Sequence, residues 1–309
     1  MSELVIVFAG SPAAAVPSLN ALAASRHRVA AVLSRRDSPQ GRRRELTSTA
    51  VAAAATELAI PLISANRLDD EATAQVAAVQ PDLGVIVAYG GLVREPLLRV
   101  PRLGWINLHF SLLPRWRGAA PVQHTLIAGD ELTGASVFQL VPELDAGNLF
   151  GQFTRSIGAT DTAGQLLESL AVSGAELLLR VVDTIADGVA RADPQVGDVT
   201  FAPKLALTDA RIDFGEHAST VANLIRGVTP EPGAFTEIDG VRVKILAALI
   251  ARDEPGLPPG RLELREGRVL VGTANDPIEL VSVHPAGKKP MNAADWWRGR
   301  AADAGTIAR

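Results

Sequence analysis

Trp105-Ile106-Asn107-Leu108-His109, followed by Phe110-Ser111-Leu112-Leu113-Pro114, decides how the first half of the chain folds. Its side chains alternate with the two-residue period of a strand, so Asn107 and His109 share one face and point the same way at the strand's end. There the chain stops behaving like core and starts behaving like a site. Ser111 to Gly118 (Ser-Leu-Leu-Pro-Arg-Trp-Arg-Gly) then reads as a rigid turn entering a helix, with Pro114 fixing φ and Gly118 letting backbone approach a ligand closely. Taken singly, an asparagine at a strand end is usually a turn former and a lone histidine beside an apolar strand is usually structural. The combination is what carries information.

Upstream, the apolar runs 4–8, 29–33, 61–63 and 83–88 alternate with stretches of helical composition at 14–24, 48–58, 69–79 and 91–98. That alternation predicts an α/β fold, a Rossmann-like open and mostly parallel sheet with helices on both faces. Phe8-Ala9-Gly10-Ser11-Pro12 sits where a dinucleotide fold places its phosphate loop, but it offers one glycine where three are wanted, which argues against NAD binding. A further strand is predicted at 135–141, before Pro142-Glu143-Leu144-Asp145-Ala146-Gly147, and an amphipathic helix at 165–186, stopped by Asp187-Gly188.

The segment 191–207 lacks sustained apolar periodicity and contains Pro194, Gly197 and Pro203, so a linker is expected between a domain at 1–190 and a smaller one at 208–309. The second domain reads as a short helix at 218–227 and short strands at 241–246, 260–264, 269–272 and 278–283, joined by turns such as Asp239-Gly240 and Glu266-Gly267. Such spacing predicts a small closed or half-closed barrel. With 13 basic and 14 acidic side chains from Thr208 onward it is not globally basic, and Lys288-Lys289 is its one concentrated positive spot. Trp296 and Trp297 are expected to pack a helix.

With 309 residues, 47% hydrophobic and 21% charged, the chain is long enough for two packed domains and too apolar to be disordered. No run approaches the roughly 18 apolar residues of a membrane span, and no basic region precedes the first apolar run, so a cytoplasmic location is expected. The absence of cysteine excludes disulfides, thiol nucleophiles and Cys-based metal sites. His27, His109, His124, His217 and His284 include no i, i+4 pair, and no metal is expected. Ser111 lacks the glycine flanks of a nucleophile elbow. A net charge of −4 confines any RNA contact to local patches, of which Ser34 to Arg44, with five arginines against one aspartate and no pattern of regular helix or strand, is the first candidate.

The run Gly104 to Pro121 closely resembles the signature of the folate-dependent formyltransferases, above all in Arg115-Trp116-Arg117-Gly118-Ala119-Ala120-Pro121-Val122-Gln123. The opening Val7-Phe8-Ala9-Gly10-Ser11-Pro12 and the ending Pro285-Ala286-Gly287-Lys288-Lys289-Pro290-Met291 extend the resemblance over nearly the whole chain. It implies a transferase that moves the formyl group of 10-formyltetrahydrofolate to the methionine amino group of initiator methionyl-tRNA, for translation initiation. The enzyme is expected to act as a monomer.

Such a reaction builds negative charge on the formyl oxygen and releases a proton from the amine. Asn107 supplies an NH2 donor, His109 a ring N–H, and an acid is needed to fix the imidazole or take the proton. Asp145 matches the aspartate of the family's Gly-Leu-Asp-x-Gly segment, although Pro142-Glu143 and Asn148 depart from its pattern; Glu143 is the alternative. Ser111, Leu112, Leu113 and Pro114 resemble the folate-binding segment, with Tyr89 and Gly90 beside them at the sheet's carboxyl edge. The resemblance further implies a basic loop carrying Arg36, Arg42, Arg43 and Arg44 against tRNA, and an OB-like C-terminal barrel whose Lys288 and Lys289 face the same partner. Transfer to a small amine, such as an amino-sugar or glycinamide ribonucleotide, is the enzymic alternative, and a catalytically silent RNA-binding protein the non-enzymic one.

Overall fold

The computed structural model describes residues 2–40, 45–300 and 306–308. In chain order its N-terminal part runs β1 (Val5–Gly10), α1 (Val16–Ala23), β2 (Arg28–Ser34), β3 (Ser38–Gln40), β4 (Glu45–Thr47), α2 (Ala50–Glu57), β5 (Leu62–Ser64), α3 (Asp70–Ala78), β6 (Leu83–Val87) and β7 (Trp105–His109). There follow β8 (Arg117–Gly118), α4 (Pro121–Ala128), β9 (Leu132–Gln139), β10 (Leu149–Ser156), α5 (Ala163–Ala186) and β11 (Phe201–Ala202). Seven strands form one sheet in the order β10-β9-β7-β6-β1-β2-β5. The pairs from β5 to β7 are parallel, and β9 runs antiparallel to β7.

The sheet forms where the sequence is apolar on both faces: β1, β2 and β6 are almost entirely buried, which is why they read as continuous runs. Two of the helices, α2 and α3, start where a side chain satisfies a free amide: Thr49 accepts from the Ala52 amide and Asp69 from that of Ala72. Because β2 and β5 lie on one side of β1 and β6 and β7 on the other, the strand order reverses beside β1, and the carboxyl ends of β1, β6 and β7 open onto one edge. Gly84 on β6 seats the next strand: a Cβ there would lie 2.2 Å from the Trp105 ring, whose Nε1 donates to the Leu97 carbonyl.

Four features differ from sequence expectation. Residues 91–98 form no α-helix, only a 3-10 turn at Leu97–Arg99, because Gly90 is left-handed at φ +76° and Pro96 has no amide hydrogen. In the arginine-rich stretch β3 pairs antiparallel with β4, and Arg42, Arg43 and Arg44 lie outside the described residues. β10, which no run of apolar residues announces, forms the sheet's edge. Much of the expected linker belongs to the first unit: Asp193 bridges Leu149, and β11 pairs in parallel with β8. The two compact units accordingly do not meet at a single point in sequence. One comprises Met1–Pro121, Leu132–Arg155 and Leu167–Ala202; the other comprises Val122–Glu131, Ser156–Leu166 and Pro203–Arg309.

The second unit adds α6 (Ala218–Gly227), β12 (Phe235–Ile238), β13 (Val241–Ile250), β14 (Leu262–Arg265), β15 (Arg268–Val271), β16 (Ile278–Pro285), β17 (Met291–Asn292) and α7 (Ala293–Arg298). Its strands pair antiparallel in the order β12-β13-β16-β15-β14, with β17 on β16. Ile307 bridges Arg261 beside β14 and Ala308 bridges Ile238 on β12, so the C-terminal residues tie both edges of the sheet together. Trp296 and Trp297 are buried in this core, edge to face at 6.2 Å, and pack α7 as expected. Among the described residues no helix is long and apolar enough to cross a membrane.

Candidate active site

β7 delivers Asn107 and His109 to the open edge, held between Ile86 and Val87 of β6 and the Ser136 to Phe138 stretch of β9. His109 is 6% exposed and meets the Phe138 ring edge to face at 6.4 Å. Its Nε2 donates to the Trp116 carbonyl at 2.8 Å. A carbonyl can only accept, so in the neutral ring the hydrogen sits on Nε2 and the lone pair on Nδ1. Nδ1 faces Oδ2 of Asp145 at 3.8 Å. Burial, which penalises the charged ring, pushes the His109 pKa below its ordinary value, while the Asp145 carboxylate and the Trp116 carbonyl oppose that shift. The Asn107 amide has no hydrogen-bond partner among the described residues.

Asp145 reaches this position from a turn. It is left-handed at φ +47°, unusual for a residue with a side chain, and Gly147 lies two residues on because a Cβ there would fall 1.7 Å from the Gln139 carbonyl oxygen. Oδ2 of Asp145 accepts from the Gly118 amide at 2.8 Å. Glu143 in the same turn is exposed, so the structure brings Asp145 and not Glu143 to the histidine.

The Ser111 to Pro114 turn is built inward. Ser111 Oγ donates to the Arg115 carbonyl, Ser136 Oγ donates to that of Ser111, and Gln152 Nε2 donates to the Leu113 carbonyl. The serine hydroxyl is therefore engaged within the protein, and Leu112 is the half-exposed side chain of the four. Tyr89 is core: it is 2% exposed, and its hydroxyl donates to the Ala65 carbonyl at 2.6 Å. What Tyr89 and the exposed Gly90 present at the edge is backbone, and Arg35 donates to both of their carbonyls. Arg36 is exposed, its Nε donating to the Ser64 carbonyl, and Lys288 and Lys289 are exposed on the turn between β16 and β17. The structure does not bring these basic residues into the Asn107–His109–Asp145 group. Among the described residues no group of three or more His, Cys, Asp or Glu side chains could hold a metal ion. Sequence inspection missed Gln195, whose amide touches the Asp145 turn; nothing short of its spatial position would have singled it out.

Comparison with known families defines the class, a formyl transferase. The family Formyl transferase matches residues 3–182, and Formyl transferase, C-terminal domain, matches residues 204–301. The chain is 59% identical over 294 residues to a methionyl-tRNA formyltransferase of Clavibacter sepedonicus, covering 95% of this chain and 96% of that one. It is 58% identical over 300 residues to one of Leifsonia xyli subsp. xyli, covering 97% and 98%. The chain belongs to the methionyl-tRNA formyltransferase family. Among solved structures it is similar in fold to WlaRD, a sugar 3N-formyl transferase crystallised in the presence of dTDP and 5-N-formyl-THF, with a TM-score of 0.68 over 92% of this chain and 98% of that one at 16% identity.

Proposed function

We propose that this enzyme transfers the formyl group of 10-formyltetrahydrofolate to the α-amine of initiator methionyl-tRNA, and that Asn107, His109 and Asp145 do the chemistry. The observation that carries the assignment of roles is the pairing of the Asn107 amide, which has no hydrogen-bond partner among the described residues, with a histidine whose Nδ1 faces a carboxylate. As the amine nitrogen attacks the formyl carbon, negative charge gathers on the formyl oxygen, and Asn107 donates to it. The amine's proton passes to Nδ1 of His109. The imidazolium so formed is stabilised by the Asp145 carboxylate facing it, and the proton is available to the folate nitrogen as its bond to the formyl carbon breaks. The lowered pKa keeps the ring neutral, hence able to accept, at neutral pH.

The backbone around Ser111 to Pro114, with that of Tyr89 and Gly90, forms the folate wall in this scheme, and Arg36, Arg42, Arg43, Arg44, Lys288 and Lys289 meet tRNA phosphates. The test is to offer 10-formyltetrahydrofolate with methionyl-tRNA, free methionine, glycinamide ribonucleotide and amino-sugar nucleotides side by side. Formylation of methionyl-tRNA alone is expected. Preference for a small amine would overturn the acceptor assignment.

A further inference from the structure

The segment 191–202, which reads in sequence as a connector, reaches the Asp145 turn through one side chain. Its neighbours Asp193, Pro194, Val196, Gly197 and Asp198 are exposed, whereas Gln195 is half-buried. Nε2 of Gln195 donates to the Asp145 carbonyl at 2.7 Å and to the Gly147 carbonyl at 2.9 Å. Its Oε1 accepts from Nε and Nη2 of Arg117 at 3.2 and 2.6 Å. Because a guanidinium only donates and a carbonyl only accepts, the amide has one orientation that satisfies all four contacts. Asp145 sits at φ +47°, and a left-handed residue other than glycine persists where its surroundings over-determine it. Gln195 ties the carbonyls at both ends of that strained segment to the residue preceding Gly118, whose amide holds the Asp145 carboxylate. The segment is itself anchored on either side of Gln195, at Asp193 on Leu149 and at β11 on β8.

We infer that Gln195 is a positioning residue for formyl transfer: with Arg117 it clamps the Asp145 turn so that the carboxylate faces Nδ1 of His109. This rests on the role given to Asp145 above. Gln195 touches no reacting atom in that scheme and acts through the aspartate.

The test uses the full chain and four variants: Gln195→Ala, Gln195→Glu, Asp145→Asn, and Gln195→Ala combined with Asp145→Asn. Misplacing a reacting group by about 1 Å typically costs on the order of 100-fold in rate. Gln195→Ala is therefore expected to lower kcat about 10- to 100-fold with the KM for 10-formyltetrahydrofolate unchanged. Gln195→Glu keeps an acceptor for Arg117 but loses both donors to the turn, so it should show the same loss even where the alanine variant folds poorly. In the Asp145→Asn background, Gln195→Ala should cost less than twofold more, because the group it positions is already disabled. A general structural defect would add its full loss in both backgrounds and would overturn the proposal, as would kcat within twofold of the parent in both single variants. If Asp145→Asn itself retains full turnover, the aspartate's assignment fails first, and the clamp fails with it; if Asp145→Asn is crippled and the Gln195 variants are not, the clamp alone is wrong.

Discussion

His109 is flanked at its two ring nitrogens by residues with left-handed backbones: Nε2 is bonded to the carbonyl of Trp116, at φ +62°, and Nδ1 faces, without bonding, the carboxylate of Asp145, at φ +47°. Each such residue costs on the order of 1–3 kcal/mol and is retained where the site needs it. The Asn107 side chain, by contrast, makes no hydrogen bond among the described residues, so Asn107→Ala should leave the thermal midpoint nearly unchanged while lowering kcat. Loss of one donor to a developing oxyanion typically costs on the order of 100- to 1,000-fold, about 3–4 kcal/mol. Near-parental kcat in the folded variant would exclude that role. A second consequence concerns pH. The ring must be neutral to accept, and burial lowers its pKa, so kcat/KM should be lost as pH falls through a value below about 6.5, the ordinary one for histidine. Asp145 only raises that pKa, so Asp145→Asn should move the limb to still lower pH, which a pH–rate profile and a titration of the imidazole resonance would both register. Asn107 and His109 are legible in the sequence because a strand's period of two sets them on one face. The link to Asp145 is spatial, made across a turn by a residue distant in sequence from His109, which leaves no local signature; a family resemblance found it.

At the scale of elements, what the sequence conveys depends on burial. β1, β2 and β6 are covered on both faces and stand out as apolar runs, whereas β10 at the sheet edge alternates half-buried and exposed residues and does not. The stretch 193–202 reads as a linker because it touches the protein mainly through backbone bridges, the Gln195 amide and the Thr200 hydroxyl, contacts to which apolar periodicity is blind. The arginine hairpin escaped for a related reason: three residues a side, all exposed in β4, carry no alternation worth reading. The Asp145 turn supplies a prediction at this scale. In Gly147→Ala the new Cβ meets a backbone oxygen at 1.7 Å, and neither partner is a flexible tip, so the turn itself must move. Such overpacking typically costs about 1–3 kcal/mol. The expected result is a lower denaturation midpoint together with a fall in kcat. Gly188→Ala, at φ +69° with nothing within 4 Å of the added Cβ, should lose stability alone. Equal catalytic loss in both variants would show that the turn has no special claim on turnover.

At the scale of the whole molecule, the two units are interleaved in sequence: Val122–Glu131 and Ser156–Leu166 group with the C-terminal unit. Within that unit Gly227 lies against Ile127 and Gly164 against Pro230. A fragment ending at Ala202 would leave those two segments without their partners, and it should unfold at lower urea than the full chain even though it contains Asn107, His109, Asp145 and Gln195. Charge sets the second expectation. A chain with a net charge of −4 cannot attract RNA over its whole surface, so the attraction must come from local cationic groups. Of these, Arg36 and Lys288-Lys289 are exposed in the structure, and Arg42 to Arg44 lie outside the described residues. Each phosphate contact releases condensed counterions, and its loss should flatten the dependence of log kcat/KM on log salt by roughly 0.7–0.9. Replacing Arg42, Arg43 and Arg44 together by serine should therefore raise the KM for methionyl-tRNA, reduce the salt slope by about 2 to 3 if all three meet phosphates, and leave the KM for 10-formyltetrahydrofolate as it was. Lys288→Ala with Lys289→Ala should reduce the slope by no more than about 2. If both patches grip one tRNA, the combined variant should show the sum of the two slope changes, since phosphate contacts at separate places act independently. A salt slope indifferent to either set would mean that the corresponding residues are a solvated surface and that the acceptor is held elsewhere.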